Sequence, residues 1–456
     1  MGKSSEKNLS NLTLWDKNYL LHPDGALQRH RDTGGPIMVA GQGVWLWDSA
    51  GNQYLDGTGG LWLCQIGHGR SEMADVAYRQ TKTLEYFTSF WDFTTQPTVE
   101  LAAKLVSLTP APFNHVFFTS GGSESVESAL KMIRRYHILR GQPNRRLVIS
   151  RNRAYHGVTW GALGATGLSA FREQFGDDFR DYVYAAAPYR YRCELCSSAD
   201  RCTLDCVTTI ETLITQHGPE NIAAFIGEPV LGAGGMIDPP HADYWPRLAE
   251  ILHHYNIPFI LDEVVTGFGR TGRWFAMEHW GLQPDIITVA KGLASGYAPI
   301  GAVLVGDAIA DTLYGSPDAF YHGHTYSGHP VASALALKNL EIIERERLVE
   351  NASAVGAKLL SSLQAEAKSL PFVGEVRGFG MMLGIELVQS RTTKEPLMLN
   401  DLMVTTIFLR NGLIVRPVGN SLVLSPPLSM TMEEAQELIH RLVTGLHELG
   451  DHVPSI

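Results

Sequence analysis

From about residue 99 to 330, short continuous apolar runs alternate with longer segments whose apolar positions recur every three or four residues. His115-Val116-Phe117-Phe118, Leu147-Val148-Ile149, Ala223-Ala224-Phe225-Ile226, Pro258-Phe259-Ile260-Leu261 and Ile286-Ile287-Thr288-Val289 have strand length and no polar alternation. Strands of that kind are covered on both faces. Helical segments lie between them, as in Val126, Ala129, Leu130 and Ile133, which fit i, i+3, i+4, i+7. The pattern predicts an α/β fold with a mostly parallel central sheet. After about residue 331 it changes: a helix from Pro330 through Glu344, then the runs Met381 to Leu387, Leu413-Ile414-Val415 and Leu422-Val423-Leu424, then an amphipathic helix from Thr431 to Glu448. That reads as a smaller α+β domain. Ahead of the large region, residues 1 to about 35 are polar with scattered aromatics, an arm. Val44 to Asp56 reads as two short strands around Gly51-Asn52. The expected division is 1–60 (arm and strands packing with the small domain), 61–330 (large domain) and 331–456 (small domain).

Composition narrows the function classes. The chain has 456 residues, 45% hydrophobic and 18% charged, an ordinary globular balance with room for two domains. A formal charge of −10 without a basic stripe argues against nucleic acid as a partner. No apolar run approaches the roughly 18 residues of a membrane span, and the N-terminus lacks a hydrophobic signal core. The expectation is a soluble cytoplasmic protein. Four of the five cysteines, Cys193, Cys196, Cys202 and Cys206, follow C-x2-C-x5-C-x3-C. That spacing suits either a zinc site or a reduced surface loop; no metal is assigned. Cys64 stands alone.

The chemistry concentrates where apolar runs end. Lys291 follows the run ending at Ala290 and precedes the flexible stretch Gly292 to Gly296. A lysine at the mouth of an apolar strand is poorly solvated, which lowers its pKa and frees the amine to attack a carbonyl. Asp262 follows Leu261, and a carboxylate at the end of a parallel strand sits on the rim where α/β sheets bind ligands; helix capping or a salt bridge would also use it. Glu228 ends another run. Gly121-Gly122-Ser123 opens a helix, and N–H groups there suit an anion such as phosphate. It is not a P-loop, because no Gly-Lys-Ser/Thr follows. Tyr155, with His156 beside it, follows a strand where an aromatic ring could stack on a flat cofactor. A phosphate cradle, an aromatic plate, an aspartate and a lysine on one rim are the parts that pyridoxal 5'-phosphate needs.

With these residues in hand, the chain resembles a class III aminotransferase of pyridoxal-phosphate fold type I, from about Leu14 to the last helix. The signature is Phe259 to Arg273, continuing to Asp285 and to Ala290-Lys291-Gly292-Leu293. The resemblance implies that Lys291 bonds the cofactor aldehyde and Asp262 faces its ring nitrogen. It implies Tyr155 and Val264 on the two ring faces, Gly121, Gly122 and Ser123 at the phosphate, and His156 and Glu228 close to the cofactor. Thr325, in Gly323 to Pro330, matches a phosphate donor supplied by a second subunit, so a homodimer with shared sites is implied, alone or paired into a tetramer. His324 stands where the family usually has an aromatic residue, and the cysteine-rich loop departs from near relatives. Trp62, Phe90 and Trp91 match aromatic walls of the amine pocket, and Arg416 matches a mobile arginine that pairs with a substrate carboxylate. The chain most resembles ω-transaminases that use pyruvate. The expected activity moves an amino group from an ω-amine, ω-amino acid or primary amine to pyruvate, giving alanine and an aldehyde or ketone. A decarboxylase or aminomutase on the same fold is the alternative.

Overall fold

The computed structural model describes residues 3–453 apart from 111, 194, 197–201 and 240, with side chains described from residue 11 onward. Its centre is a seven-stranded sheet in the order Phe113–Thr119, Gly301–Gly306, Ile286–Val289, Phe259–Asp262, Ile222–Gly227, Leu147–Arg151, Tyr182–Ala185. Five neighbouring strands pair in parallel. Gly301–Gly306 runs antiparallel to both of its neighbours, so Phe113–Thr119 points the same way as the parallel five. The expected runs are all strands, but Gly301–Gly306 and Tyr182–Ala185 were not read from the pattern.

Alternation along each strand divides the core between two faces. Val148, Ala224, Ile226, Ile260, Ile286 and Val303 pack with Val126, Ala129, Leu130 and Ile133 of the helix Gly122–Leu139. Ile149, Phe225, Leu261, Ile287, Val289 and Leu304 face the opposite way, toward Trp245 and Leu248 of the helix Tyr244–His254 and Leu335 and Leu340 of Pro330–Arg345. Period-two side chains on a sheet covered twice give this result. The apolar runs are therefore continuous in sequence yet divided in space.

Two four-stranded sheets flank this core. Met38–Gln42, Trp45–Asp48 and Gln53–Asp56 form one with Leu413–Ile414, which pairs in parallel with Leu55 and Asp56. Val373–Phe379, Met382–Leu387, Ser421–Leu424 and Arg416–Val418 form the other. The run read as the single strand Leu413-Ile414-Val415 is thus a crossing point: the chain leaves one sheet at Ile414 and enters the next at Arg416. Val373–Phe379 and the helix Leu348–Glu366 were also not anticipated. Glycines and charges at Gly374, Glu375, Arg377 and Gly378 mask the strand in the pattern.

None of the described helices is long and apolar enough to cross a membrane. All five cysteines are free. The Cys196 N–H donates to Cys193 Sγ at 3.4 Å, and Thr203 donates to Cys196 Sγ at 3.3 Å. Among the described residues, the one set of three possible metal-ligand atoms within 4.8 Å of one another is Asp16, His22 and His30, not a set of thiols.

Candidate active site

The parallel strands end on one edge of the sheet, and the expected residues line it. Asp262 is the last residue of its strand, paired in register with Thr288. Lys291 comes two residues after the neighbouring strand ends at Val289. Glu228 follows Ile222–Gly227, Tyr155 and His156 follow Leu147–Arg151, and Gly121 follows Phe113–Thr119. Sheet registry thus brings together groups more than a hundred residues apart.

Asp262 is held from three sides. Its Oδ1 accepts from the Val264 N–H and the Thr288 hydroxyl, both at 3.1 Å, and its Oδ2 lies 2.7 Å from His156 Nδ1. All of these except Val264 are buried. His156 Nε2 is buried with no partner of its own. Glu228 accepts from the Tyr155 N–H at 2.9 Å and the Gly232 N–H at 3.0 Å, which fixes the tyrosine loop. Burial pushes the Glu228 carboxyl up, with Asp262 adding to the rise and His156 opposing it. Burial likewise raises the Tyr155 phenol.

Burial pushes the Lys291 amine down to about 8; Asp262 and Glu228 pull it back up, and Arg416 adds to the fall. The side chain as a whole is only half-buried, but its amine sits deep enough for desolvation to dominate. Lys291 also has φ 42, in the left-handed region that a lysine rarely adopts. Such strain costs on the order of 1–3 kcal/mol and persists where the surroundings impose it.

The glycine loop is shaped by its neighbours. A Cβ at Gly122 would lie 2.7 Å from Val264 Cγ1, so only glycine lets the loop lie against that side chain. Gly157, at φ +121, faces Ser123, whose Oγ accepts the Val158 N–H at 3.1 Å. The Ser123 hydroxyl is therefore engaged by the tyrosine loop. The first-turn N–H groups of Gly122–Leu139 have no intrahelical acceptor and point out of the helix end, where an anion is favoured.

Beyond the rim, Trp62 and Arg416 line a cavity of about 180 Å³ with Thr58, Leu61, Ile414 and Val423. Trp62 is buried, at φ 64. The Arg416 guanidinium lies 3.7 Å from Asp24 Oδ2. Phe90, Trp91 and Thr325 are not among the residues lining that cavity. The Ser89 hydroxyl donates to the Ser327 carbonyl at 2.8 Å, the Tyr86 hydroxyl donates to the Thr325 carbonyl at 2.7 Å, and Phe90 packs at Gly323. His324 Nδ1 lies 3.8 Å from Glu124 Oε1, beside the start of Gly122–Leu139. None of the described hydrogen bonds or ring contacts joins this loop to Lys291, Asp262 or Tyr155.

The family model for class-III aminotransferases matches residues 29–446. The chain belongs to that family. This aminotransferase is 40% identical over 425 residues to a putrescine–pyruvate aminotransferase of Pseudomonas aeruginosa, covering 93% of each chain. It is 37% identical over 433 residues to a diaminobutyrate–2-oxoglutarate transaminase of Halomonas elongata, covering 92% of each. Among solved structures it is similar to a thermostable (S)-enantioselective omega-transaminase from Thermomicrobium roseum. The TM-score there is 0.93 at 45% identity, with 96% of this chain and 98% of that one covered. The fold is pyridoxal-phosphate fold type I, and the cofactor is pyridoxal phosphate. The residues present fit that group: a helix start for a phosphate, a deep amine, a fixed carboxylate and an unpartnered buried imidazole nitrogen.

Two residues at the site, Thr288 and Asp24, were not among those read from the sequence. Thr288 was the one polar position in an apolar run, a signal that was available. The His156 bond to Asp262 and the approach of Asp24 to Arg416 left no trace in the pattern.

Proposed function

We propose that the aminotransferase moves an amino group from a primary amine, an ω-amine or an ω-amino acid to pyruvate, with Lys291 and Asp262 as its catalytic residues. The observation that carries this is the Lys291 amine, lowered to about 8 by burial on the same rim as the thrice-held Asp262. When bound, pyridoxal phosphate supplies an aldehyde that takes up amino groups and a ring that accepts an electron pair.

Lys291 Nζ would hold the cofactor's aldehyde, and once released its uncharged amine would act as the base that takes a proton from the donor carbon. A positioned base of this kind contributes about 10²–10⁴-fold. Asp262, oriented by His156, Thr288 and the Val264 N–H, would keep a proton on the cofactor's ring nitrogen. Tyr155 and Val264 would cover the two ring faces, with Glu228 holding the Tyr155 loop. Gly121, Gly122 and Ser123 would receive the phosphate through the N–H groups at the helix start, and the Ser123 hydroxyl, which accepts from the Val158 N–H, keeps its own O–H to donate. Trp62 walls the amine pocket, and Arg416 pairs with substrate carboxylates through two parallel hydrogen bonds.

The working form in this reading is a homodimer. Tyr321, Trp91, Tyr326, Phe93 and Phe87 are exposed around the turn that bears Thr325. Apolar surface of that extent on neighbouring loops marks an interface. Thr325 of the partner subunit would then reach the phosphate, and the partner's Phe90 and Trp91 would complete the amine pocket. The proposed division near residues 60 and 330 is supported by the pairing of the first strands with the C-terminal region through Leu413 and Ile414, although the helix Pro330–Arg345 packs on the central sheet. Net charge and free thiols support a cytoplasmic setting.

The deciding experiment incubates holoenzyme with a panel of amines and amino acids against pyruvate and, separately, 2-oxoglutarate. Alanine formed in step with the aldehyde or ketone is the expected result. Carbon dioxide release without alanine would show a decarboxylase instead, and glutamate formation alone would reassign the acceptor.

A further inference from the structure

Beside Arg416, which lines the cavity, stands a carboxylate with no part in the chemistry above. Asp24 sits at the tip of a turn, at φ 54, in the segment between the helices Lys3–Tyr19 and Leu27–Thr33. That turn is braced on both sides. Asp16 Oδ1 lies 2.8 Å from His22 Nε2, and Asp16 Oδ2 lies 2.8 Å from His30 Nε2. The two imidazole rings lie 3.6 Å apart, and Lys17 Nζ donates to the Asp32 carbonyl at 2.6 Å. One carboxylate thus ties the residues on either side of the turn, and the turn delivers Asp24 to Arg416.

Two observations point Asp24 inward. Its Oδ2 is 3.7 Å from the Arg416 guanidinium, and Arg416 lines the substrate-side cavity with Trp62. Its charge is also felt by the Tyr155 phenol on the cofactor rim. At 3.7 Å the contact is an ion pair without hydrogen-bond geometry. It can open without stripping a buried bond. The Asp24 side chain is 65% exposed and that of Arg416 30%, so water screens the pair.

We infer that Asp24 is a charge-selecting residue: it holds Arg416 while the cavity is empty, and it receives the distal ammonium of a donor that carries two amino groups. The inference rests on the transaminase reading and names its donor class. An anionic substrate must draw Arg416 away from Asp24. A donor with a second ammonium meets a like charge in Arg416 and an opposite one in Asp24. The same carboxylate therefore favours diamines and competes with carboxylates for Arg416. Exposed pairs carry modest weight, so each effect is roughly two- to fivefold.

The test compares wild-type holoenzyme with Asp24→Asn and Asp24→Glu. The readouts are kcat/KM for 1,4-diaminobutane and for 1-aminobutane with pyruvate, and KM for pyruvate with 1-aminobutane as donor. In Asp24→Asn the diamine-to-monoamine ratio falls two- to fivefold while KM for pyruvate also falls, because Arg416 is released. Asp24→Glu restores the ratio. A His22→Ala/His30→Ala double variant, which unties the turn, loses part of the ratio with Asp24 in place. An unchanged ratio, or equal losses for both amines, overturns the inference while leaving transamination intact. A wild-type holoenzyme that transfers no amino group to either pyruvate or 2-oxoglutarate overturns both together.

Discussion

Two aspartates of the proposed site stand in opposite conditions. Asp262 is buried at the end of a central strand, with a hydroxyl, a backbone N–H and an imidazole fixed on it. Asp24 stands on a surface turn, with one loose contact to Arg416. A charge in a low-dielectric, prearranged setting exerts a strong, constant field, whereas one in water exerts a weak field that a substrate can replace. The difference separates two tasks. In the proposed reading, chemistry that every substrate shares lies at the buried rim and choice among substrates lies at the exposed Asp24–Arg416 pair.

The hardest test of that division is removal of the deep amine. Lys291→Ala is expected to lose the visible absorbance of covalently held cofactor and to lower turnover by more than the roughly 10⁴-fold typical of a positioned base. Turnover within tenfold of wild type would mean that the rim does not hold the chemistry.

Asp262→Asn keeps the packing and removes the charge. Turnover should fall on the order of 10²-fold with every donor alike. A loss confined to diamines would put Asp262 in the same class as Asp24 and erase the contrast.

Thr288→Val sharpens the comparison from the side of the supporting shell. It deletes one buried donor to Asp262, worth on the order of 1 kcal/mol, or about fivefold in cofactor affinity by equilibrium dialysis. No change in affinity would show that the remaining two partners suffice.

The smallest effect links the regions. The rate at which the apo-enzyme captures pyridoxal phosphate should rise with pH through about 8, because only the uncharged Lys291 amine attacks. Arg416 contributes to the lowered value, so in Arg416→Ala the midpoint of that rise should move to higher pH. A midpoint that stays still would show that Arg416 and the rim are electrostatically independent.

The candidate site was legible in the chain where chemistry coincides with the end of a local pattern. Lys291, Asp262 and Gly121 each follow an apolar run, so strand ends could be marked and polar residues assigned to them. The same logic missed Gly301–Gly306, whose apolar residues match its neighbours' but whose direction is decided by pairing with strands on both sides. It also missed that Leu413 and Arg416 belong to different sheets, because a chain crossing between layers has no periodicity of its own. Thr325, Phe90 and Trp91 were grouped with the site by family resemblance; within one chain Trp91 and Thr325 are exposed, Phe90 is partly buried, and none of the described hydrogen bonds or ring contacts ties them to Lys291, Asp262 or Tyr155.

The order of residues by itself determined most of the central strands and the helices between them, which ends carry a lysine, an aspartate and a glycine turn, and to which family the chain belongs. These depend on periods of two and 3.6 residues and on short motifs, all readable over a few turns of backbone. Tertiary structure alone decided the three bonds on Asp262, the depth that lowers Lys291, and the meeting of Asp24 with Arg416. Burial and Coulomb energy depend on distance through space, and folding brings together charges that the chain keeps far apart.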